Sequence, residues 1–474
     1  MNGNTLVMKF GGTSVGSAEA MAQAVEIVRQ ARQEWPRVVV VTSALSGVTN
    51  LLLDSASQAA AGNAQRFIGG AAELKALHTG IAEKLIAEAA PQAQMRSEIN
   101  LLVSEFTNLC HAINVLGEAT PRALDAVASL GERMSIRLLA AALESQGVAS
   151  RPIESTLFVI TDNRFQAAHP NIEETNLRTR QLLNPLLDQG IVPVSSGFIG
   201  ATREGITTTL GRGGSDYSAA LIGAALPADD VWIWTDVDGV MTADPRMVPG
   251  AHTISQLSYR EVAELAYFGA KVLHPKSIRP VVEAGIGLRV CNTFNPKHPG
   301  TRIYTEVNHL EAGKIKAVTT IRKQVLVTIE GRGMLGVPGV AARAFAAVAA
   351  THTSVPLITQ ASSEQSICFA VPSESAKQVL DSLRSTFALE LASQDIDSIG
   401  AGEEVEIITT VGAGMRATPG VAGRIFSILG ENKVNVIAIA QGSSEVSISL
   451  VVDARDAKAA VAALHQLITD DLPA

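Results

Sequence analysis

The side chains best equipped for chemistry lie in one run of small residues, Thr207–Ser218, reading Thr-Thr-Thr-Leu-Gly-Arg-Gly-Gly-Ser-Asp-Tyr-Ser. Arg212 and Asp216 stand among its glycines, ahead of an alanine-rich segment. Glycine lets backbone approach a ligand closely. A helix starting near Ser215 would offer unsatisfied N–H groups to an anion. Arg212 can grip a carboxylate or phosphate through two parallel hydrogen bonds. Asp216 can orient a cation or bind an ammonium group. A solvated turn with a Ser or Asp cap would explain part of the run, but a cap needs neither the glycines nor the arginine.

Lys9 with Gly11-Gly12-Thr13-Ser14 is a second candidate anion site. Lys9 falls near the end of an apolar run, where an unpaired charge is costly; a phosphate would offset that cost. No P-loop pattern Gly-x-x-x-x-Gly-Lys-Ser/Thr occurs in the chain. Thr235–Arg246 places Asp236, Asp238 and Asp244 after a strand-like run, without the ligand spacing or closing glutamate of an EF-hand. It suits a nucleotide, with or without magnesium. Phe268–Pro275 adds Lys271 in an apolar setting, and His274, ahead of a proline, reads as a packed or capping histidine. Gly331-Arg332-Gly333-Met334-Leu335-Gly336 has the spacing of a dinucleotide fingerprint. Its paired segment Gly412–Ala417 lacks the third glycine, and no acid follows a second parallel strand, so that reading is set aside.

These groups need elements to hold them. Leu6–Phe10, Arg37–Val41, Ile191–Val194, Val231–Trp234 and Leu288–Cys291 read as buried strands, the first four running into polar turns. Ala18–Glu34 and Leu51–Leu116 read as helical, and a further helix is expected after Gly131-Glu132-Arg133. Alternation of this kind implies an α/β domain with a mostly parallel sheet and ligand groups at its carboxyl ends. Asn295–Gly300 is a turn-rich boundary.

Beyond it the chain is written twice. Met334–Val371 aligns without gaps with Met415–Val452, and 16 of the 38 paired positions are identical. Two copies are too few for a solenoid. Each copy reads as a small ferredoxin-like unit, with strands at Val325–Ile329, Val355–Thr359 and Ile367–Val371 in the first, and Val405–Thr409, Val434–Ala440 and Ile448–Val452 in the second. Helices follow Pro338-Gly339 and Pro419-Gly420 and span Ala376–Phe387 and Ala457–Ile468. Ala317–Ile321 is an extra strand ahead of the first copy.

Composition narrows the partners. A net charge of −8 and 4% aromatic residues disfavour nucleic acid and anionic membranes. Three scattered cysteines suggest neither a zinc site nor a disulfide framework, and no metal site is expected. With no signal-peptide pattern and no long apolar span, the expectation is a cytoplasmic protein.

Six ordered blocks carry a resemblance: Lys9–Ser14, Ser43-Ala44 with Gly47–Asn50, Gly131–Arg133, Gly211–Asp216, Thr235–Arg246 and Phe268–Pro275. The chain resembles aspartate kinase: the amino-acid kinase fold, a mostly parallel three-layer α/β domain, followed by two ferredoxin-like ACT domains. Ile358–Glu364 is similar to the threonine-sensing subtype found fused to homoserine dehydrogenase, here with only a short tail after the second repeat. Met241 stands where many relatives carry tyrosine.

The resemblance implies transfer of the ATP γ-phosphoryl group, with Mg2+, to the β-carboxylate of L-aspartate, opening the route to lysine, threonine and methionine. It makes Lys9 and Lys271 electrostatic stabilisers, oriented by Asp216. Ser43, Thr49, Glu132, Phe198, Arg212 and Ser215 would line the amino-acid pocket, with Glu132 on the α-ammonium and Arg212 on a carboxylate. Gly11, Gly12, Ser14, Thr235, Asp236, Met241 and Arg246 would hold the nucleotide. Gln360 and Gln441 would sense the feedback amino acid, threonine first and lysine second. The expected domains are 1–300 for catalysis, 323–400 for the first ACT domain, and 315–322 with 401–474 for the second, into which the first is inserted. A homodimer or larger homo-oligomer through the ACT domains is expected. The competing reading is a catalytically silent amino-acid-binding regulator.

Overall fold

All six residues of Thr5–Phe10 are buried, the pattern of a parallel strand covered on both faces. A computed structural model describes residues 4–269, 273–304, 313–334, 337–360, 365–441 and 446–470. The chain divides into two compact units, one of Met1–Val240, Thr253–Tyr259 and Val272–Glu306, the other of Met241–His252, Arg260–Lys271 and Val307–Ala474.

In chain order the first unit begins β1 (Thr5–Phe10), α1 (Ala18–Glu34), β2 (Arg37–Thr42), α2 (Val48–Ala60), α3 (Ala64–Leu85), α4 (Ala89–Leu116) and α5 (Pro121–Ser145). It continues with β3 (Ser150–Ile153), α6 (Ile172–Asp188), β4 (Val192–Ser196), β5 (Ile199–Ala201), β6 (Thr207–Thr209), α7 (Gly214–Ala225) and β7 (Asp230–Thr235). Then come β8 (Gln256–Ser258), α8 (Tyr259–Tyr267, in the second unit from Arg260), α9 (Pro275–Glu283), β9 (Gly287–Asn292) and β10 (Thr301–Tyr304). The eight-stranded sheet has the order β3-β4-β2-β1-β7-β9-β10-β8, and only the β9–β10 pair is antiparallel. Leu6, Met8 and Phe10 pack with Val38, Val40 and Met21 in its core. Each such side chain contributes about 1.5–3 kcal/mol by leaving water.

The five expected strands are all present. The edge strands β3 and β8, and β10 beside β8, were not anticipated; each has three or four residues, too few to leave a periodic signature. One expectation is corrected. Gly131-Glu132-Arg133 does not precede a helix but lies inside α5. That helix starts ten residues earlier, where the Thr120 side chain caps the Ala123 N–H and Pro121 fills the first turn.

The second unit contains β11 (Ala317–Glu330), α10 (Val340–Ala349), β12 (Leu357–Gln360), β13 (Ser366–Pro372), α11 (Ala376–Thr386), α12 (Ala388–Ala392), β14 (Ser398–Val411), α13 (Val421–Glu431), β15 (Val436–Ala440), β16 (Ser447–Asp453) and α14 (Ala457–Asp470). Its six strands form one antiparallel sheet in the order β12-β13-β11-β14-β16-β15. Ala317–Ile321 is no separate strand. It is the first part of β11, which continues through a bulge between Ile321 and Gln324. Before the bulge β11 pairs with Ile407–Val411; after it, with β13 and the start of β14.

Val318 shares a core with Ile408, Ile425, Ile448 and Leu464, whereas Val325, Val327 and Ile329 share another with Ala344, Phe369 and Leu383. Segments from the middle of the chain join this unit. Ala243 and Val248 enter the first of these cores, and Phe268 packs with Leu326, Leu357 and Val451. Among the described residues no helix is long and apolar enough to cross a membrane.

Candidate active site

At the carboxyl end of β1, Lys9 is flanked by Val41 of β2 and Ile233 of β7. Only 9% of Lys9 is exposed, so its ammonium needs a partner. Asp216, in the first turn of α7, supplies one: Lys9 Nζ lies 2.7 Å from Asp216 Oδ1. Backbone bonds stitch the strand ends together around this pair. Gly11 N donates to Trp234 O at 3.1 Å, Ser43 N to Phe10 O at 3.1 Å, and Ser46 N to Gly12 O at 3.1 Å. A Cβ on Gly12 would stand 2.9 Å from Ala44 O, so glycine is what allows the two turns to close on each other. A Cβ on Gly11 would stand 3.6 Å from Lys9 Nζ; its absence leaves backbone open beside the ammonium. The Ser14 hydroxyl is turned inward, donating to Trp234 O and accepting from Thr293 Oγ1 at 2.7 Å.

Glu132 reaches the same turn from α5. Its Oε1 accepts from Ala44 N at 3.2 Å, while Oε2 is buried with no hydrogen-bond partner among the described residues. Burial pushes the carboxyl up to about 8, with the Ala44 N–H pulling in the opposite direction. A buried acid with one unsatisfied oxygen suits an incoming ammonium group. Ser43 follows β2 directly, and Thr49 sits in the first turn of α2 behind Gly47; both are half-buried.

Phe198 holds a left-handed backbone (φ 64°) between two bonds, its N–H to Ser218 Oγ at 3.0 Å and its carbonyl from Leu210 N at 2.8 Å. A Cβ on Gly214 would come within 2.7 Å of the Phe198 ring, and one on Gly197 within 2.6 Å of Ser215 Cβ. Arg212 is exposed between Gly211 and Gly213, both at positive φ. His274 caps α9 by accepting from Lys276 N, as its place before a proline suggested. Burial first, then the charges of Lys276 and Arg212, hold its imidazole below the usual range.

Of the expected nucleotide residues, Thr235 ends β7 and Asp236 follows it, with Thr235 Oγ1 donating to Asp236 Oδ1 at 3.2 Å. Asp238 Oδ1 accepts from the side chains of Asn292 and Asn295. Met241 and Arg246 belong to the second unit. There the Arg246 guanidinium lies 2.7 Å from Asp244, which Arg322 also approaches at 3.4 Å. Lys271 lies outside the described residues. Among those residues no group of three or more His, Cys, Asp or Glu could hold a metal ion.

Asp125, a buried carboxylate on α5, escaped the sequence reading. It lies seven residues before Glu132, and that spacing puts both on one helix face.

Gln360 ends β12 and helps line a cavity of about 400 Å³ with Met334, Val337, Gly339 and Ile367. Gln441 follows β15 and is exposed. The rest of both motifs, 361–364 and 442–445, lies outside the described residues. The dinucleotide-like glycines serve packing: a Cβ on Gly331 would fall 2.4 Å from Asp395 O, and one on Gly333 2.6 Å from Asp395 Cα.

Comparison with known proteins gives the family of the chain. The amino acid kinase family pattern matches residues 4–292, and an ACT domain pattern matches 327–387 and 408–467. The chain is 37% identical over 464 residues to the Zea mays bifunctional aspartokinase/homoserine dehydrogenase 1, covering 97% of this chain and 50% of that protein. It thus spans about half the length of the bifunctional relatives it matches. Aspartokinase 1 of Arabidopsis thaliana is 33% identical, with 98% of this chain and 80% of the relative covered. Escherichia coli aspartokinase III, solved with aspartate and ADP, superposes with a TM-score of 0.79 at 31% identity over 98% of this chain and 100% of that one. The same enzyme with lysine and aspartate gives 0.79 at 32% identity, over 98% and 99%.

Proposed function

The chain belongs to the amino acid kinase family, among the aspartokinases, and from that premise we propose that it transfers the γ-phosphoryl group of ATP to the β-carboxylate of L-aspartate. The observation that carries this reading is the buried Lys9–Asp216 pair, 2.7 Å apart, at the carboxyl ends of the parallel strands. A carboxylate acceptor is already a nucleophile, so the reaction needs alignment and charge neutralisation rather than a base.

Lys9 neutralises charge on the transferred phosphoryl group, and Asp216 fixes where its ammonium points. Lys271 is the second cation. Arg212 holds a carboxylate of aspartate, Glu132 takes the α-ammonium, and Ser43, Thr49, Phe198 and Ser215 complete the pocket. Gly11, Gly12 and Ser14 form the turn beneath the phosphates; Thr235, Asp236, Met241 and Arg246 hold the rest of the nucleotide. Magnesium would be bound mainly by phosphate oxygens and water, where it would draw charge from the transferred group. The absence of a Cβ at Gly11 leaves room for a phosphate beside the Lys9 ammonium.

We assign catalysis to 1–300, with the first ACT domain, 323–400, inserted in a second made of 315–322 and 401–474. These bind a feedback amino acid, threonine before lysine, through Gln360 and Gln441, and pair subunits into a homodimer or larger assembly. The cavity beside Gln360 supports the effector reading. In an assay that couples ADP release or traps the acyl phosphate, the protein with Mg-ATP should turn over only when L-aspartate is present. Lys9→Ala should cut that rate by orders of magnitude in a folded protein. Aspartate-independent ADP release, or normal turnover in Lys9→Ala, would sink the reading.

A further inference from the structure

Asp125 is 1% exposed, yet it stands in no ion pair among the described residues. Its carboxylate is satisfied by uncharged donors alone. Thr209 N donates to Oδ2 at 2.9 Å, Thr209 Oγ1 to Oδ1 at 2.8 Å, and Gln166 N to Oδ1 and Oδ2 at 3.1 and 3.0 Å. Burial raises this carboxyl and the three donors lower it. The two donor residues are the walls of one turn. Thr209 ends β6 and is followed by Leu210, Gly211, Arg212 and Gly213, after which α7 begins. Gln166 holds a left-handed backbone (φ 70°), and its carbonyl lies 3.1 Å from where a Cβ on Gly211 would be. Ala168 N closes the seam by donating to Thr209 O at 2.9 Å.

We propose that Asp125 is a positioning residue: it clamps the 163–168 and 207–213 segments together and so sets the direction of Arg212 and the first turn of α7, without touching substrate itself. The proposal rests on the aspartokinase reading for its kinetic consequence, but not for its geometry. Both oxygens of the carboxylate accept, and Thr209 and Gln166 present three donors to them. Alanine removes every acceptor at once, whereas asparagine could turn its oxygen to the two N–H groups and donate its NH2 to the Thr209 hydroxyl, which accepts as well as donates. A buried donor left unsatisfied is costly, and the turn would open to recover a partner.

The test combines hydrogen exchange read by mass spectrometry with kinetics in which aspartate and ATP are varied separately. In Asp125→Ala, amides of 209–214 should exchange at least tenfold faster while α5 keeps its protection. The aspartate KM should rise about tenfold, with the ATP KM changed less than twofold. Thr209→Val removes one donor and keeps the carboxylate; it should shift both readouts part of the way, and Thr209→Ser should restore them. These two variants carry the test should Asp125→Ala fail to fold. Unchanged exchange across 209–214, or an unchanged aspartate KM alongside faster exchange, would overturn the assignment. Wild-type protein that turns over no aspartate would instead overturn the parent reading, leaving the exchange result to decide the clamp.

Discussion

At the scale of single residues, Glu132 joins structure to pH. Its folded carboxyl is pushed up to about 8 from 4.5 by burial. The folded state therefore binds a proton that the unfolded chain has already released between those two values. Stability contributed by neutral Glu132 is fully present below 4.5 and is lost as pH rises toward 8, at about 1.4 kcal/mol per pH unit. Glu132→Gln should remove this slope and be the more stable protein at pH 8, as urea titrations at several pH values would reveal. Substrate binding has the opposite trend. An ammonium favours ionised Glu132, so the aspartate KM should fall as pH rises to 8, by about tenfold per unit at most. The glutamine variant should show a higher KM with a flat profile; a wild-type KM that is itself flat between pH 6 and 8 would remove Glu132 from the ammonium site.

Among the elements, α5 is the one whose placement matters most. It presents Asp125 to the β6 turn and Glu132 to the turn after β2, and Gly131 lets it approach. A Cβ at Gly131 would meet Ala44 Cβ at 2.7 Å, whereas one at Gly69, in the exposed part of α3, would meet nothing within 4 Å. Replacing a mid-helix glycine by alanine gains about 1 kcal/mol in propensity. Overpacking costs about 1–3 kcal/mol. Gly69→Ala should therefore stabilise by up to about 1 kcal/mol. Gly131→Ala should lose about 1 kcal/mol net and reduce turnover, since Glu132 moves with the helix. Denaturant midpoints of the two variants should shift in opposite directions; equal shifts would mean that α5 does not press on the β2 turn.

For the whole molecule, the division into units cuts across the chain order. Met241–His252 and Arg260–Lys271 belong with the repeats. Thr242 N donates to His252 O, while Thr242 O accepts from Val318 N and its hydroxyl meets His465 Nε2 at 2.9 Å. Glu261, fully buried, accepts from Ala413 N at 2.9 Å, and Glu264 accepts from Ser447 Oγ at 2.7 Å. Segments bearing Met241 and Arg246, and the approach to Lys271, are thus built into the second repeat. The effector proposed above would have, through these contacts, a packed route to those residues. The inhibition by threonine proposed above should be lost or weakened at least tenfold in Gln360→Ala and in Gln441→Ala, with uninhibited turnover kept. Full sensitivity in both variants would place the effector elsewhere.

Strands β1, β2, β4, β7 and β9, the internal repeat and the two glycine-rich runs were all legible in the sequence, because apolar runs, glycines and isolated charges leave local patterns. The Lys9 and Asp216 candidates were legible too, as residue types too costly to bury alone. Their meeting at 2.7 Å was not, since it spans 207 positions of chain. Nor could periodicity disclose that β11 runs unbroken through both repeats, that Asp125 fastens the arginine turn, or that 241–252 folds with the C-terminal repeats. Those features depend on contacts between distant segments. Side-chain type determined what chemistry was available; packing decided which groups come together and which segments form one unit.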